Sequence, residues 1–132
     1  IRLGDYKLED KFGIPSKKYY LEAISQLWDS GEYKKIWVFS DEPIAAAEYI
    51  PQQYQDKVRW IPEIGDSATH TLEVMRYGKG YVIGNSTFSW WGAFLSYNPS
   101  AQVISPSPWF KLGDSPKSLI PPGWIKIDAF KN

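Results

Sequence analysis

The 132-residue chain contains no cysteine and a single histidine, His70. Without cysteine there are no disulfides and no thiolate metal sites, a composition that is compatible with a reducing cytosol. One histidine excludes histidine-rich metal sites and argues against a Ser-His-Asp catalytic triad. The chain also lacks a G-x-x-x-x-G-K-[ST] segment, which excludes a P-loop nucleotidase, and it lacks a D-x-D pair that would hold a divalent cation. These absences exclude histidine-rich and thiolate metal sites and the D-x-D type of divalent-cation site.

An excess of charge of one sign and long apolar runs are absent as well. The 15 basic residues balance 15 acidic ones, so the charge does not predict binding to nucleic acid. No apolar run reaches the roughly 18 residues of a membrane helix. The first residues, IRLGDYKLED, contain neither a starting Met nor the apolar segment of a signal peptide. We interpret the chain as a fragment that starts near the end of a strand.

Apolar and aromatic residues are abundant, at 43% and 17% of the chain, which is enough to bury the core of one domain. Capping and turn residues divide the chain into alternating helices and strands. Helices are predicted after Ser16, from Pro43, from Asp66 and Ser67, and after Gly84; strands are predicted at 36–39, 58–61, 81–83, 102–104 and 124–127. This order predicts an α/β fold with a Rossmann-like parallel sheet flanked by helices. Such sheets bind ligands beyond the carboxyl ends of their strands.

The first strand end reads Arg2-Leu3-Gly4-Asp5. Gly4 permits a tight turn beyond the strand, and Arg2 could present its guanidinium fork to a phosphate. The alternative is an ion pair between Arg2 and Asp5 that only holds the turn. An isolated R-x-G-D does not decide between the two.

The second strand end follows the apolar run at 36–39, which is typical of a strand covered on both faces. Asp41 comes shortly after it, where a carboxylate could accept hydrogen bonds from a ribose hydroxyl or a purine edge. Alternatively, Asp41 caps the helix from Pro43, whose buried side would carry Ile44, Ala47 and Ile50.

The third strand end is the most informative segment of the chain, NSTFSWWGAFL at residues 85–95. Asn85, Ser86 and Thr87 lie where a strand passes into a helix, whose N-terminus carries unpaired N–H groups and a partial positive charge. An anion such as a phosphate would bind there. A plain helix cap needs one such residue rather than three. We expect the aromatic residues that follow to fix this helix against the core.

The segment NSTFSWWGAFL resembles the signature of glycosyltransferase family 11, the α-1,2-fucosyltransferases, and of its bacterial members in particular. IRLGDY is similar to the family's H-x-R-x-G-D-Y, and WVFSDE is similar to its F-S-D-[DE]. VISPSPWF and the later GWIKID are similar to its V-I-x-P-x-x-W-F and terminal W-x-x-I. The segments occur in the family's order along the chain.

This resemblance implies a fold and an activity. Residues 1–132 would be one GDP-fucose-binding domain, the C-terminal half of a two-domain GT-B glycosyltransferase, with the acceptor domain outside the fragment. The activity would be inverting transfer of L-fucose from GDP-fucose to a galactoside 2-hydroxyl of a glycan or surface polysaccharide, with no metal and no cofactor. The parent protein would be cytoplasmic or peripheral to the cytoplasmic membrane if the source is bacterial. The fragment alone could bind the donor yet transfer poorly.

The resemblance also implies two catalytic residues. Arg2 would contact the β-phosphate of the departing GDP. Asp5 would support the Arg2 loop, and it is the candidate for the base that activates the acceptor. Where many members of the family have a second arginine after Arg2, this chain has Leu3.

The remaining roles that the resemblance implies concern donor binding. Asp41 would face the guanosine, and Asn85 would contribute to the same site as the phosphate-binding turn formed by Ser86, Thr87 and Phe88. His70 is interpreted either as a rim residue or as a contact to the base. It precedes Thr71, which stands where the family has an acidic residue.

Two other classes of function stay open from the residues alone. A non-catalytic sugar- or nucleotide-binding module could use the many tryptophans and tyrosines of the chain, and it would prefer free sugar if it were a lectin. A glycosidase would need two facing carboxylates, and no such pair stands out. The sequence does not indicate the acceptor or an oligomeric state.

Overall fold

The computed structural model describes residues 1–62 and 67–132. The helices are α1 (Lys17–Ser30), α2 (Pro43–Ala46), α3 (Ala68–Met75) and α4 (Thr87–Phe94); the strands are β1 (Ile36–Val38), β2 (Val58–Trp60), β3 (Gly80–Val82), β4 (Gln102–Ser107) and β5 (Ile125–Asp128). Short 3₁₀ helices occupy Asp5–Leu8, Ala47–Tyr49 and Gln52–Lys57. The predicted helix start at Asp66 lies outside the described residues.

The strands pair in parallel, but they form two hydrogen-bonded groups. β1 pairs with β2, and β3, β4 and β5 form a second sheet in that order. The prediction of a parallel α/β fold flanked by helices is confirmed. Within the described part of the chain, however, the sheet is split between β1 and β3 rather than continuous.

Helix α1 holds the two groups of strands against one core. Its first turn is capped by Ser16, whose Oγ accepts the N–H of Tyr19 at 3.1 Å, as the sequence predicts. The buried face of α1 includes Ile24 and Leu27, which lie in one cluster with Val38 of β1 and Ile104 of β4. This shared cluster places both strand groups beneath the same helix.

The opposite face of the three-stranded sheet is covered by α4 and by the proline-rich segment 108–124. Ile83, Ala93, Val103 and Trp109 form a second buried cluster there. Trp109 comes from the long segment, and its N–H is held by Ser115 Oγ at 2.9 Å. The segment between β4 and β5 thus contributes to the core beneath α4.

Two local predictions are wrong. Strand β1 is not covered on both faces, because Trp37 is 47% exposed and its ring lies beside the guanidinium of Arg59. The helix from Pro43 ends already at Ala46, and Ile44 is 94% exposed. A 3₁₀ helix follows directly, which changes the register, so Ala46 is buried in place of Ile44 and Ala47. The predicted burial of Ile50 is confirmed.

Candidate functional site

A cleft of about 720 Å³ lies at the carboxyl ends of β1, β2 and β3, where parallel α/β sheets bind ligands. We call it the strand-end cleft. Most of the predicted site residues line it: Arg2, Asp5, Asp41, Ser86, Thr87 and Phe88. Residues 2–6, which we call the guanidinium loop because they include Arg2, are far apart in sequence from the start of α4. Both segments nevertheless line the same cleft.

Arg2 enters this cleft from an exposed loop with its guanidinium partly engaged. Its Nε donates to Asp5 Oδ1 at 3.0 Å and lies 3.3 Å from Asp41 Oδ2. Both contacts use Nε, so the terminal nitrogens of Arg2 make no hydrogen bond to another described residue. The hydrogen bond to Asp5 is the main cause that raises the pKa of Arg2, which keeps it cationic.

The predicted ion pair between Arg2 and Asp5 is present, and it affects what Asp5 can do. The hydrogen bond from Arg2 lowers the pKa of Asp5, which is exposed at the surface. A carboxylate with a lowered pKa is a weaker base than a free one. The geometry therefore favours the supporting role of Asp5 over the role of general base.

Asp41 does not cap α2. Its Oδ1 accepts the N–H of Leu3 and its Oδ2 accepts the N–H of Gly4, each at 3.0 Å, while α2 has no side-chain cap. A Cβ on Gly4 would lie 2.7 Å from Asp41 Oδ2, so glycine is needed for this close approach. Asp41 therefore fixes the backbone that carries Arg2.

The start of α4 forms the opposite wall of the strand-end cleft. Ser86 is the N-cap, and its Oγ accepts the N–H of Ser89 at 3.5 Å. Ser89 Oγ donates to the carbonyls of Ser86 and Gly84, at 2.8 and 3.1 Å. Thr87 is exposed on the first turn. This end of α4 presents hydroxyls and backbone N–H groups to the cleft, which is the arrangement that binds anions.

The structure does not bring Asn85 or His70 into the strand-end cleft. Asn85 is 1% exposed, and its Nδ2 lies 2.9, 3.0 and 3.2 Å from the carbonyl oxygens of Phe12, Gly13 and Trp109. It therefore ties two loops together beneath the site. His70 is exposed on α3, and its neighbour Thr71 is the residue that lines the cleft.

The aromatic residues of α4 anchor the helix only in part. Trp90 stacks on Phe94 with centroids 4.6 Å apart, and its Nε1 donates to Leu119 O at 2.9 Å. Trp91 and Phe94 are about half exposed, at 48% and 52%, so only part of the aromatic block fixes the helix against the core as expected. Helix α4 packs closely against α3 at Gly92. A Cβ at this position would lie 2.9 Å from the sulfur of Met75.

Tyr6 lines the cleft as well, although it is not among the site residues predicted from the sequence. Its ring stacks on Phe12 with centroids 5.1 Å apart, and its hydroxyl donates to Asn85 O at 3.5 Å. It belongs to the same R-x-G-D-Y segment as Arg2, so its position directly after Asp5 was the available signal. Tyr6 links the guanidinium loop to the strand end that precedes α4.

Two findings concern metals and membranes. Across residues 1–62 and 67–132, no group of three or more His, Cys, Asp or Glu side chains is gathered in a metal-binding arrangement. In the same part of the chain, no helix has the length and apolar character needed to span a bilayer.

The fold and the cleft define the class of protein, a Rossmann-like α/β domain with its ligand cleft at the carboxyl ends of parallel strands. Residues 1–128 match the family described as Glycosyl transferase family 11. The chain belongs to glycosyl transferase family 11, as its sequence motifs predict.

Two curated relatives, both from Escherichia coli, are similar along nearly the whole chain. One is an alpha-1,2-colitosyltransferase, 29% identical over 135 residues that cover 97% of this chain and 46% of the relative. The other is the O-antigen biosynthesis glycosyltransferase WbnK, 34% identical over 131 residues that cover 96% of this chain and 43% of the relative. The chain thus spans less than half the length of these relatives. No solved structure matches it.

Proposed function

We propose that this chain is the donor-binding domain of an inverting, metal-independent α-1,2-fucosyltransferase. The parent protein would transfer L-fucose from GDP-fucose to the 2-hydroxyl of a galactose-containing acceptor, at or near the cytoplasmic membrane. The observation that carries the proposal is the strand-end cleft, in which Arg2 and the start of α4 face one space. Membership of glycosyl transferase family 11 and a relative named for O-antigen biosynthesis support the reaction class.

The chemistry follows from where charge develops. Breaking the bond between fucose and phosphate leaves negative charge on GDP while the sugar becomes oxocarbenium-like. Fixed donors that point at this charge stabilise the transition state. The free terminal nitrogens of Arg2 supply a planar pair of donors that suits a phosphate. The N–H groups of the first turn of α4 and the Thr87 hydroxyl supply further donors from the opposite wall.

Asp41 and Asp5 contribute indirectly in this proposal. Asp41 accepts hydrogen bonds from the backbone N–H groups of Leu3 and Gly4, and Asp5 accepts one from the Nε of Arg2. The terminal nitrogens of Arg2 are then left to bind a ligand in the cleft. Such preorganisation means that little reorientation is needed when the diphosphate leaves. Asp41 also lines the cleft, so a contact to the guanosine stays part of the proposal.

A second candidate for the donor substrate is GDP-colitose, because one relative is named an alpha-1,2-colitosyltransferase. Colitose is fucose without its 3-hydroxyl, so GDP-colitose would make the same diphosphate contacts with this domain. The two donors would be distinguished only by residues next to the sugar. A site that hydrogen-bonds the 3-hydroxyl would reject the sugar that lacks it, whereas an apolar site would discriminate weakly.

Titration calorimetry with the parent protein tests the binding role, with GDP, GDP-fucose and free L-fucose as ligands. We expect GDP and GDP-fucose to bind and free fucose not to bind. Arg2→Ala should weaken GDP binding, whereas Arg59→Ala should leave it unchanged, since Arg59 is exposed on β2 outside the cleft. Binding of fucose without binding of GDP would contradict the proposal and indicate a sugar-binding module.

A transfer assay then decides the donor. Turnover with GDP-fucose and not with GDP-colitose would support fucosyl transfer. Turnover with GDP-colitose and not with GDP-fucose would make GDP-colitose the donor substrate, and the proposed diphosphate site would stay the same. Tight GDP binding with no transfer from either donor to any galactoside would contradict the enzymatic role.

A further inference from the structure

A second, apolar cavity of about 470 Å³ separates the two groups of strands. We call it the β1–β3 cavity. Residues 36–39 form one side and residues 80–84 the other; Ile24 and Leu27 of α1 cover one face, and Met75 and Ala93 of α3 and α4 cover the opposite face. The cavity therefore lies within the layer of the sheet rather than on the surface of the domain.

The strand edges that face this cavity are the ones without a neighbouring strand. Val38 O accepts from Ile61 N, on the β2 side, and successive residues of a strand turn their backbone groups to opposite edges. The backbone groups of Trp37 and Phe39 therefore face the cavity. By the same alternation Ile83 N donates to Ile104 O of β4, so the groups of Val82 face the cavity from the other side.

A buried hydroxyl at the same place also lacks a partner. Tyr20 is 2% exposed and lines the cavity, and its OH has no hydrogen-bond partner among the described residues. Burial raises the pKa of Tyr20, so the hydroxyl stays protonated and is a donor. A buried donor without an acceptor is destabilising. A carbonyl oxygen inside the cavity would remove that cost.

Ile1 marks where a chain can enter the β1–β3 cavity. Its nitrogen donates to Phe39 O at 2.6 Å, just beyond the carboxyl end of β1, and Ile1 also lines the cavity. Leu3 and Gly4 then reach Asp41, two residues beyond Phe39, so the first residues run parallel to the chain that follows β1. A segment that leads into Ile1 on the same course would run alongside β1 in the same direction. The matched relatives are more than twice as long as the segment that they share with this chain.

We propose that the β1–β3 cavity is the seat of a parallel β-strand, formed by the residues immediately before Ile1 in the parent protein. That strand pairs with Trp37 and Phe39 on one edge and with Val82 on the other. One of its carbonyl groups accepts the hydrogen bond of Tyr20. Because helices cover both faces of the cavity, the residues of this strand are apolar or small.

The inserted strand also accounts for the position of the strand-end cleft. It joins both groups into one sheet in the order β2, β1, inserted strand, β3, β4, β5. In chain order this is 3-2-1-4-5-6, the doubly wound arrangement that binds ligands where the strand order reverses. The reversal falls between the inserted strand, which is followed by Arg2, and β3, which is followed by Ser86.

Amide hydrogen exchange of the parent protein tests the proposal. We expect the amides of Trp37 and Val82 to exchange at least about a hundred-fold more slowly than they do in the 132-residue chain, because both then donate within a central ladder. Val103, whose strand β4 already has neighbours on both sides, is the internal control and should change little. Equal exchange at Trp37 and Val82 in the two proteins would overturn the proposal.

A synthetic peptide with the eight residues that precede Ile1 in the parent gives an independent measurement. Added to the 132-residue chain, it should slow exchange at Trp37 and Val82, while a peptide with alternate residues replaced by proline should not. Tyr20→Phe should weaken the effect of the peptide, because the variant has no unpaired hydroxyl for a peptide carbonyl to accept from. A crystal structure of the parent in which the segment lies elsewhere, or in which β1 and β3 pair directly, would contradict the proposal.

Discussion

The Oδ2 atom of Asp41 lies 3.3 Å from the Nε of Arg2. The same carboxylate accepts the N–H groups of Leu3 and Gly4, the two residues that follow Arg2 in the chain. One side chain at the end of β1 therefore fixes both the backbone and the orientation of a guanidinium more than 35 residues away in sequence. This makes Asp41 a positioning residue for Arg2.

Asp41→Asn should loosen this loop. An amide keeps one acceptor oxygen but turns an NH₂ group towards the second backbone N–H, so one hydrogen bond to a charged group is lost. We expect the free energy of unfolding to fall by about 1–3 kcal/mol, together with weaker GDP binding. Urea unfolding and calorimetry measure the two effects.

The matched control for Asp41→Asn is Asp56→Asn. Asp56 is 67% exposed and pairs with its neighbour Lys57, so its replacement should change stability by less than about 0.5 kcal/mol. If Asp41→Asn weakened GDP binding and left stability unchanged, Asp41 would act only as a direct contact to the nucleotide.

Arg2→Ala should abolish most of the transfer catalysed by the parent protein. In the proposed reaction the guanidinium is the cationic donor for the leaving diphosphate, and loss of one such donor typically costs on the order of 10²–10³ in turnover. Arg2→Lys should recover part of the rate, because it restores the charge without the planar pair of donors. Steady-state kinetics with saturating acceptor measures kcat, and near-normal turnover of Arg2→Ala would contradict the catalytic role.

Elements with strong local signals could be predicted from the sequence. Helix α1 has Ser16 as its cap and apolar residues at helical spacing, and the strands near residues 36, 58, 81, 102 and 125 are short runs bounded by turn residues. Local pattern failed where a distant partner decides the outcome. Asp41 has the position of a helix cap, yet the N–H groups of Leu3 and Gly4 occupy its carboxylate.

The candidate site shows the same division. The segments around Arg2 and Ser86 could be found from their residue types, since a guanidinium and a hydroxyl-rich helix start both suit a phosphate. Asn85 looked like a third ligand because it precedes Ser86. Its burial against the carbonyls of Phe12 and Gly13 depends on a loop more than 70 residues away, which no local pattern reveals.

Asn85→Asp should therefore destabilise the fold rather than act only on the ligand. The Nδ2 of Asn85 donates into a group of three backbone carbonyls, and a carboxylate there would place a buried negative charge against acceptors. We expect a loss of at least about 3 kcal/mol in unfolding free energy. Asn98→Asp is the control, because Asn98 accepts a hydrogen bond from Ser100 N in an exposed turn. Unchanged stability of Asn85→Asp would show that the Asn85 side chain is not held as described.

The amino group of Ile1 should make the stability of the 132-residue chain depend on pH. Burial lowers the pKa of this group from 8.0 to about 6, so between these values the unfolded chain binds more protons than the folded one. Stability then rises with pH across this window, by about 2 kcal/mol in total, and is lost again as the pH falls towards 6. Urea unfolding at pH 6 and pH 8.5 measures the change.

Acetylation of Ile1 removes the titrating amine, and the acetyl carbonyl would extend towards the β1–β3 cavity where a preceding residue is proposed to lie. The acetylated chain should therefore be less sensitive to pH by that amount, and identical pH profiles for the two forms would mean that the amino group is solvated rather than held against Phe39 O.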